Sequence, residues 1–182
     1  MSCLITKGRN EACKDSIAGI QGVYFENYSE KADLTFTADG QVSGFTTGAP
    51  DLYYYELKGQ NSYVETINTS RDNGTTFYAQ TLTINLKKLT NAMTTELKVL
   101  AAGRVRVWIH LTNGETILMG LKRGADMTGG SIQTGTAEGD FTGYNALVFE
   151  AMEKEPGKFV NGSTEDNPFV AFSPAPVIVK ED

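Results

Sequence analysis

Cysteine and histidine are nearly absent from this chain: Cys3, Cys13 and His110 are the full complement among 182 residues. So few ligands cannot complete a four-ligand zinc site within one chain. A Cys3–Cys13 disulfide would close a short loop, but the N-terminus lacks the basic-then-apolar order of a secretion signal, so two reduced thiols are expected. No apolar run approaches the ~20 residues of a membrane-spanning helix, and no membrane partner is expected. Positive charge is also scarce. Sixteen basic residues against 22 acidic ones give a net charge of −6, which argues against a phosphate-neutralising nucleic-acid surface as the main role. The chain is expected to be made in a cytosol and, at first, kept there.

Several catalytic and ligand-binding patterns are missing as well. There is no Gly-x-x-x-x-Gly-Lys-Ser/Thr phosphate loop and no Gly-x-Ser-x-Gly nucleophile turn. The glycines between 124 and 143 do not open a helix after a strand, so they fail the dinucleotide pattern. Asp126, Glu138 and Asp140 match no calcium-loop spacing. Glu150 with Glu153 or Glu155 would be the carboxylate pair of a glycosidase, but Glu153 and Glu155 sit at the charged end of a strand, where solubility and edge protection explain them. His110 has no visible catalytic partner. The expectation is therefore a binding or structural protein, with no catalytic residue, cofactor or metal.

What the chain does hold is strand signal. At 40% hydrophobic and 21% charged residues it is an ordinary globular composition, of a length that suits one domain around one core. Short aromatic or β-branched runs at 22–28, 33–45, 52–57 and 62–68 are bounded by Gly, Asp, Asn or Pro. The Asp39-Gly40 and Asn113-Gly114 pairs predict hairpins. Thr75 to Leu86 alternates Tyr78, Leu82, Ile84 and Leu86 with Ala79, Thr81, Thr83 and Asn85, one buried face and one small polar face. Its twelve residues would extend roughly 40 Å, long for a small domain and natural in a sheet shared between subunits, although a central strand of one sandwich fits as well.

The spacing of Leu89, Met93, Leu97 and Leu100 predicts a helix over about 91–102, capped by Thr90 or Asn91 and ended by Gly103. In the strand from Arg104 to Leu111, Val105, Val107, Ile109 and Leu111 make the apolar face. Arg104, Arg106, Trp108 and His110 fall on the other side, where His110 is expected to be solvated or at an interface. The glycine-rich stretch from Gly124 to Gly143 is expected to be a loop delivering the strand Tyr144 to Glu155. The resulting division is an N-terminal arm, 1–21, a mainly β, antiparallel sandwich or barrel-like domain with one flanking helix, 22–156, and a C-terminal extension, 157–182. That extension is either mobile or docked on a neighbour, with Val177 to Val179 able to add a strand to another chain's sheet. Tyr53, Tyr54, Tyr55 and Tyr63 offer either a sugar-stacking platform or, by the preference of tyrosine for interfaces, a subunit contact.

The order of parts in TTFYAQTLTINLKKLTNAMTTELKVLAAGRVRVWIHLTNGETILMGLKRGADMTGGSIQTGTAEGDFTGYNALVFEAMEKEP, Thr75 to Pro156, resembles the tail tube (major tail) proteins of tailed bacteriophages. CLITKGRNEACKDSIAGIQGVYF, at the N-terminus, is similar to the start of virion structural proteins of such phages. The resemblance covers about half the chain. It implies a non-enzymatic structural protein of the virion tail, assembled in the host cytoplasm as stacked, hexameric rings through which genome DNA passes without specific binding. It implies Thr81, Thr83 and Asn85 facing the lumen, Tyr53, Tyr55, Trp108, Tyr144 and Phe149 as candidate subunit contacts, and other tail or connector proteins as partners. The N-terminal arm and residues 157–182 would then make inter-ring contacts. A tail completion or ring protein at the head–tail joint, and a tube protein of an injection system, share much of this architecture. A carbohydrate-binding β-sandwich is the alternative of another class.

Overall fold

A computed structural model describes residues 7–10, 14, 16–29, 34–46 and 48–180. Cys3 and Cys13, with the expectation about their thiols, lie outside the described residues. The fold is mainly β with one helix. Its strands are β1 (Ile20–Asn27), β2 (Leu34–Phe36), β3 (Val42–Phe45), β4 (Asp51–Glu56), β5 (Ser62–Ser70), β6 (Thr75–Lys87), β7 (Arg104–Leu111), β8 (Thr116–Met119), β9 (Ala125–Gln133), β10 (Gly143–Glu153), β11 (Lys158–Phe159) and β12 (Val177–Val179), with α1 (Asn91–Ala102) between β6 and β7. One large sheet runs β12-β4-β1-β7-β9-β10-β6-β5, antiparallel except where β12 joins β4.

This sheet forks at β7. Val107 to His110 pair with β8, while Arg104 and Val105 pair with Asp126 and Ala125 of β9. The fork depends on Gly120, at φ +72°, where the chain leaves β8 and doubles back so tightly that a Cβ would lie 2.8 Å from the carbonyl carbon of Gly124. Beyond the fork the sheet curls, and Phe25 of β1 reaches Phe149 of β10 with ring centroids 5.1 Å apart. Val23, Leu82, Val107, Ile109 and Phe149 fill the space enclosed, all fully buried. Each such side chain contributes about 1.5–3 kcal/mol by leaving water.

The helix covers part of this core. Thr90 Oγ1 accepts the amide hydrogen of Met93 at 3.2 Å, and the Gly103 amide closes the last turn on Val99 O at 2.9 Å. Leu97 is buried, Met93 and Leu100 are partly so, and Tyr144 ties the helix start to β10 through Thr94 Oγ1 at 2.7 Å and Thr90 O at 3.0 Å. Met93, Leu97 and Leu100 of the expected stripe thus reach the sheet, while Leu89, ahead of the helix, is 39% exposed.

One core was expected, and the structure has two. Tyr24, Leu52, Trp108, Leu118, Phe169 and Phe172 form a second cluster with the β2–β3 hairpin, on the opposite face of β1 and β7. These two central strands are therefore buried on both faces. Of the extension 157–182, expected to be mobile or docked on a neighbour, residues 157–180 dock on their own chain: β11 pairs with β8, β12 pairs with β4, and Phe169 and Phe172 close the second core. The aromatic side chains explain this docking, since Phe169 packs edge-on against Trp108 at 5.4 Å and Tyr24 at 5.2 Å.

The glycine-rich stretch also differs from expectation. Residues 125–133 are strand β9, and 134–142 make the connection to β10. Glycine weakens a strand without forbidding it, and pairing on both sides, with β7 and with β10, holds β9 in place. Gly143, at φ +144°, is the strict requirement, because a Cβ there would meet Leu86 O at 2.2 Å. Replacing Gly143 by Ala is expected to cost at least about 1–3 kcal/mol, measured as a lowered urea midpoint with an unchanged m-value.

Candidate assembly surface

Among the described residues, the curl leaves one broad area of the sheet uncovered: the outer side of β5, β6, β10 and β9. It is built by alternation. On β6 the residues Gln80, Leu82 and Ile84 turn into the core, so Ala79, Thr81 and Thr83 turn out. Register places Thr81 between Val64 of β5 and Glu150 of β10, Thr83 between Ser62 and Val148, and Ala79 between Thr66 and Met152. Val64 is 55% exposed and Met152 57%. The surface is thus a grid of threonines and small or apolar side chains with two carboxylates, Glu150 and its β9 neighbour Asp126.

β5 also ends the sheet, paired only with β6 among the described strands. Edge strands are ordinarily guarded by lysine, proline, bulges or brevity. SYVETINTS has nine residues, no lysine, no proline and a regular register throughout, and its one charged residue, Glu65, is engaged by Tyr63 and the Gly157 amide. Its last three residues, Asn68 to Ser70, paired with Phe77 to Thr75 of β6, project past the last β10 pairing at Glu153 and Tyr78 as a two-stranded ribbon; Phe77 is 38% exposed, and Ile67, level with that pairing, 64%. Two strands alone are marginally stable in water.

Next to the uncovered face lies a groove of about 420 Å³ lined by Tyr28, Arg104, Lys122, Arg123, Asp126 and Glu150, among others. Arg104 Nε meets Asp126 Oδ1 at 3.2 Å with both side chains about half exposed, a pair that contributes about 0–1 kcal/mol. The charges here are mixed, and the groove presents no single-sign field.

Thr81 and Thr83, expected to face a lumen, are half-buried on the outward face. Asn85 is not free to project from it. Asn85 Oδ1 accepts the Ala146 amide hydrogen at 2.8 Å, its Nδ2 donates to Gln60 O, and its own amide donates to Asn61 Oδ1 at 2.9 Å. It fastens a bulge in β10 where Ala146 takes φ +50°. Nothing in the sequence pattern signalled this bulge, because an alanine there reads as ordinary strand.

Three expected subunit contacts are corrected by burial. Trp108, Tyr144 and Phe149 are 0% exposed within the chain itself, because β7 and β10 place them in the two cores and leave no surface for a neighbour. Tyr55 packs edge-on to Phe25 at 5.0 Å in the first core, while Tyr53 is 38% exposed. The four tyrosines do not assemble a sugar platform. Tyr54 stacks on Tyr24 at 4.7 Å in the second core, and Tyr63 donates to Glu65 Oε2 at 3.0 Å. Burial, with Tyr54 beside it, pushes the Tyr24 phenol up to about 12.

Polar residues expected at the surface are buried too. His110 is 2% exposed, between Thr116 and the Glu165 carbonyl. Glu153 is 5% exposed, and its Oε1 accepts the amide hydrogens of Lys122 and Arg123, both at 2.7 Å, so it holds the fork loop and does not guard an edge. Arg106 and Glu26 form a buried ion pair at 2.9 Å.

Asp126, Glu138 and Asp140 do not converge as cation ligands: Asp126 takes Arg104, and Asp140 Oδ2 organises its own loop, accepting from Thr136 Oγ1 at 2.7 Å and from the Thr136 and Ala137 amides at 2.8 Å. The Thr136 hydroxyl and these amides lower the Asp140 carboxyl below its ordinary value. A lowered carboxylate supports the fold above its unfolded titration range and loses that support as pH falls through the folded one. Amide exchange at Thr136 and Ala137 is therefore expected to accelerate, after correction for intrinsic rates, on acidification below the usual aspartate range. Unchanged protection there would refute the assignment.

Among the described residues, no helix is long and apolar enough to cross a membrane. No protein-family model, curated protein or solved structure matches this chain. The class established is therefore that of the fold: a mainly β protein with one large, predominantly antiparallel sheet and one helix.

Proposed function

We propose that this chain is a self-assembling structural protein of a phage virion, a subunit of the stacked, hexameric rings that form a tail tube. One observation carries the reading: among the described residues, the outer face of β5, β6 and β10 is uncovered and ends in a long edge strand without lysine, proline or bulge. A copy-to-copy contact would satisfy both, since adding strands at the edge closes the sheet and removes the exposed ribbon. Thr81 and Thr83 would then line a small polar wall, and the net charge of −6 would keep passing DNA from adhering. Other tail or connector proteins would contact the ring faces. A ring protein at the head–tail joint would use the same contact.

Negative-stain imaging of the purified protein is expected to show rings or tubes without added cofactor. A monodisperse monomer at high concentration would refute the tube reading. The sugar-binding reading has less support, because Tyr54 and Tyr55 pack in different cores and Tyr63 is bonded to Glu65.

A further inference from the structure

We propose that His110 is a proton-gated clasp that fastens the C-terminal segment to the β7–β8 hairpin. Four short contacts run in series through buried or half-buried atoms. His110 Nε2 lies 3.0 Å from Glu165 O, His110 Nδ1 lies 2.9 Å from Thr116 Oγ1, Thr116 Oγ1 lies 2.7 Å from Ser163 Oγ, and Ser163 Oγ lies 2.7 Å from Gly114 O.

Both ends of this chain are carbonyl oxygens, which only accept. Ser163 must therefore spend its one hydrogen on Gly114 O. The Thr116–Ser163 contact then takes the Thr116 hydrogen, and the Thr116–His110 contact requires a hydrogen on Nδ1. At the far end, Glu165 O requires a hydrogen on Nε2. All four links exist together only when both ring nitrogens carry protons. A neutral ring leaves one link without a hydrogen, with two lone pairs facing each other inside the fold.

The charged groups around the ring do not neutralise it. Arg106, four residues back along β7 on the same face with Trp108 between, is engaged by Glu26. On β1, the cross-strand residue is Gly22, with Tyr24 beyond it, and the ring of Tyr54 from β4 lies over Gly22. Thr116 is the β8 neighbour. Glu115 stands in the hairpin turn, and Glu165 and Asp166 lie on the docked segment with exposed side chains. The fully linked form requires the second ring proton and the open form does not, so closure strengthens as pH falls and weakens as pH rises.

Opening acts on a defined segment. The turn around Thr164 and Asn167 lies against Gly114, where a Cβ would be 3.1 Å from Glu165 N. Phe169 and Phe172 remain anchored on Trp108, so the neutral ring loosens residues 161–167 while the second core stays closed.

The test uses the full chain, in which His110 is the single histidine. Ring 15N spectra and amide exchange at residues 163–167 are recorded at about pH 5.5 and about pH 8. The expected result is an imidazolium at the lower pH and a neutral ring at the higher one, with protection, corrected for intrinsic rates, falling about threefold to tenfold. Ser163→Ala frees the Thr116 hydrogen to donate to Nδ1, so a neutral ring is satisfied. That variant is expected to lose the pH dependence. A wild-type ring that stays neutral with equal protection at both values, or the same pH dependence in S163A, would overturn the proposal.

Discussion

Replacing Arg106 by Met is expected to lower the unfolding free energy by about 3–5 kcal/mol, the usual cost of removing one partner from a buried ion pair. Arg106 is 2% exposed and Glu26 4%. Arg106 spends its donors on Glu26 Oε1 at 2.9 Å, on Leu121 O at 3.0 Å and on Ser29 O, while Trp108 Nε1 donates to Glu26 Oε2 at 2.9 Å. The pair thus joins β1, β7 and the fork loop. Burial pushes the Glu26 carboxyl up, against the pull of Arg106 and of the hydrogen bonds from Trp108 and Arg106. A carboxyl whose folded value is raised destabilises the fold above its unfolded range, and that cost disappears as pH falls through the folded value. Without Arg106 the rise is larger, so the deficit of R106M should be greatest near neutral pH and shrink on acidification. Adding Glu26→Gln to R106M removes the orphaned charge and is expected to recover much of the loss. Chemical denaturation of the two variants at two pH values checks this. Equal deficits in R106M and R106M/E26Q would contradict it.

Phe169→Ala is expected to cost about 3–5 kcal/mol, the range for truncating a buried aromatic side chain. Phe169 touches Tyr24, Trp108 and Phe172, the last at 5.2 Å between centroids. Losing it leaves a cavity beside Trp108, which keeps only Phe45 at 6.0 Å and Phe172 at 5.9 Å among its ring contacts in the described residues. Because Phe169 and Phe172 share contacts, the double variant should lose less than the sum of the two single losses. Calorimetry with limited proteolysis gives the readout: a lowered transition and new cleavage between 161 and 176. A loss under about 1 kcal/mol would mean that the C-terminal segment lies loosely on the body.

The local structure was legible wherever a few neighbouring residues decide it. Asp39-Gly40 and Asn113-Gly114 make their turns, with Gly40 at φ +79° and Gly114 at φ +86°, and Thr90 caps the helix that Leu97 anchors. Strand β6 alternates as its residues require. The second core was hidden because its face of β7 reads Arg106, Trp108, His110, a polar pattern that signals solvent unless partners for each group are known. Two of those partners, Glu26 and the Glu165 carbonyl, come from distant parts of the chain, and Thr116 from the next strand. Phe169 and Phe172 carry no periodicity that would announce a docked segment. Strand β9 was hidden for a related reason: Gly129 and Gly130 signal a loop, and pairing with β7 and β10 overrides them. Of the assembly surface, the Thr81 and Thr83 face followed from alternation alone. The absence of a guard on β5 became meaningful only when β5 proved to be the edge.

The self-assembly account is tested most directly by sedimentation of the wild-type chain beside Val64→Lys. This substitution puts a charge on the uncovered face and on the edge strand, and touches neither core. The account predicts a wild-type protein that sediments as rings or longer assemblies, and a V64K protein that sediments as a monomer with an unchanged thermal transition. A wild-type monomer at every concentration, or an assembly that V64K leaves intact, would contradict it.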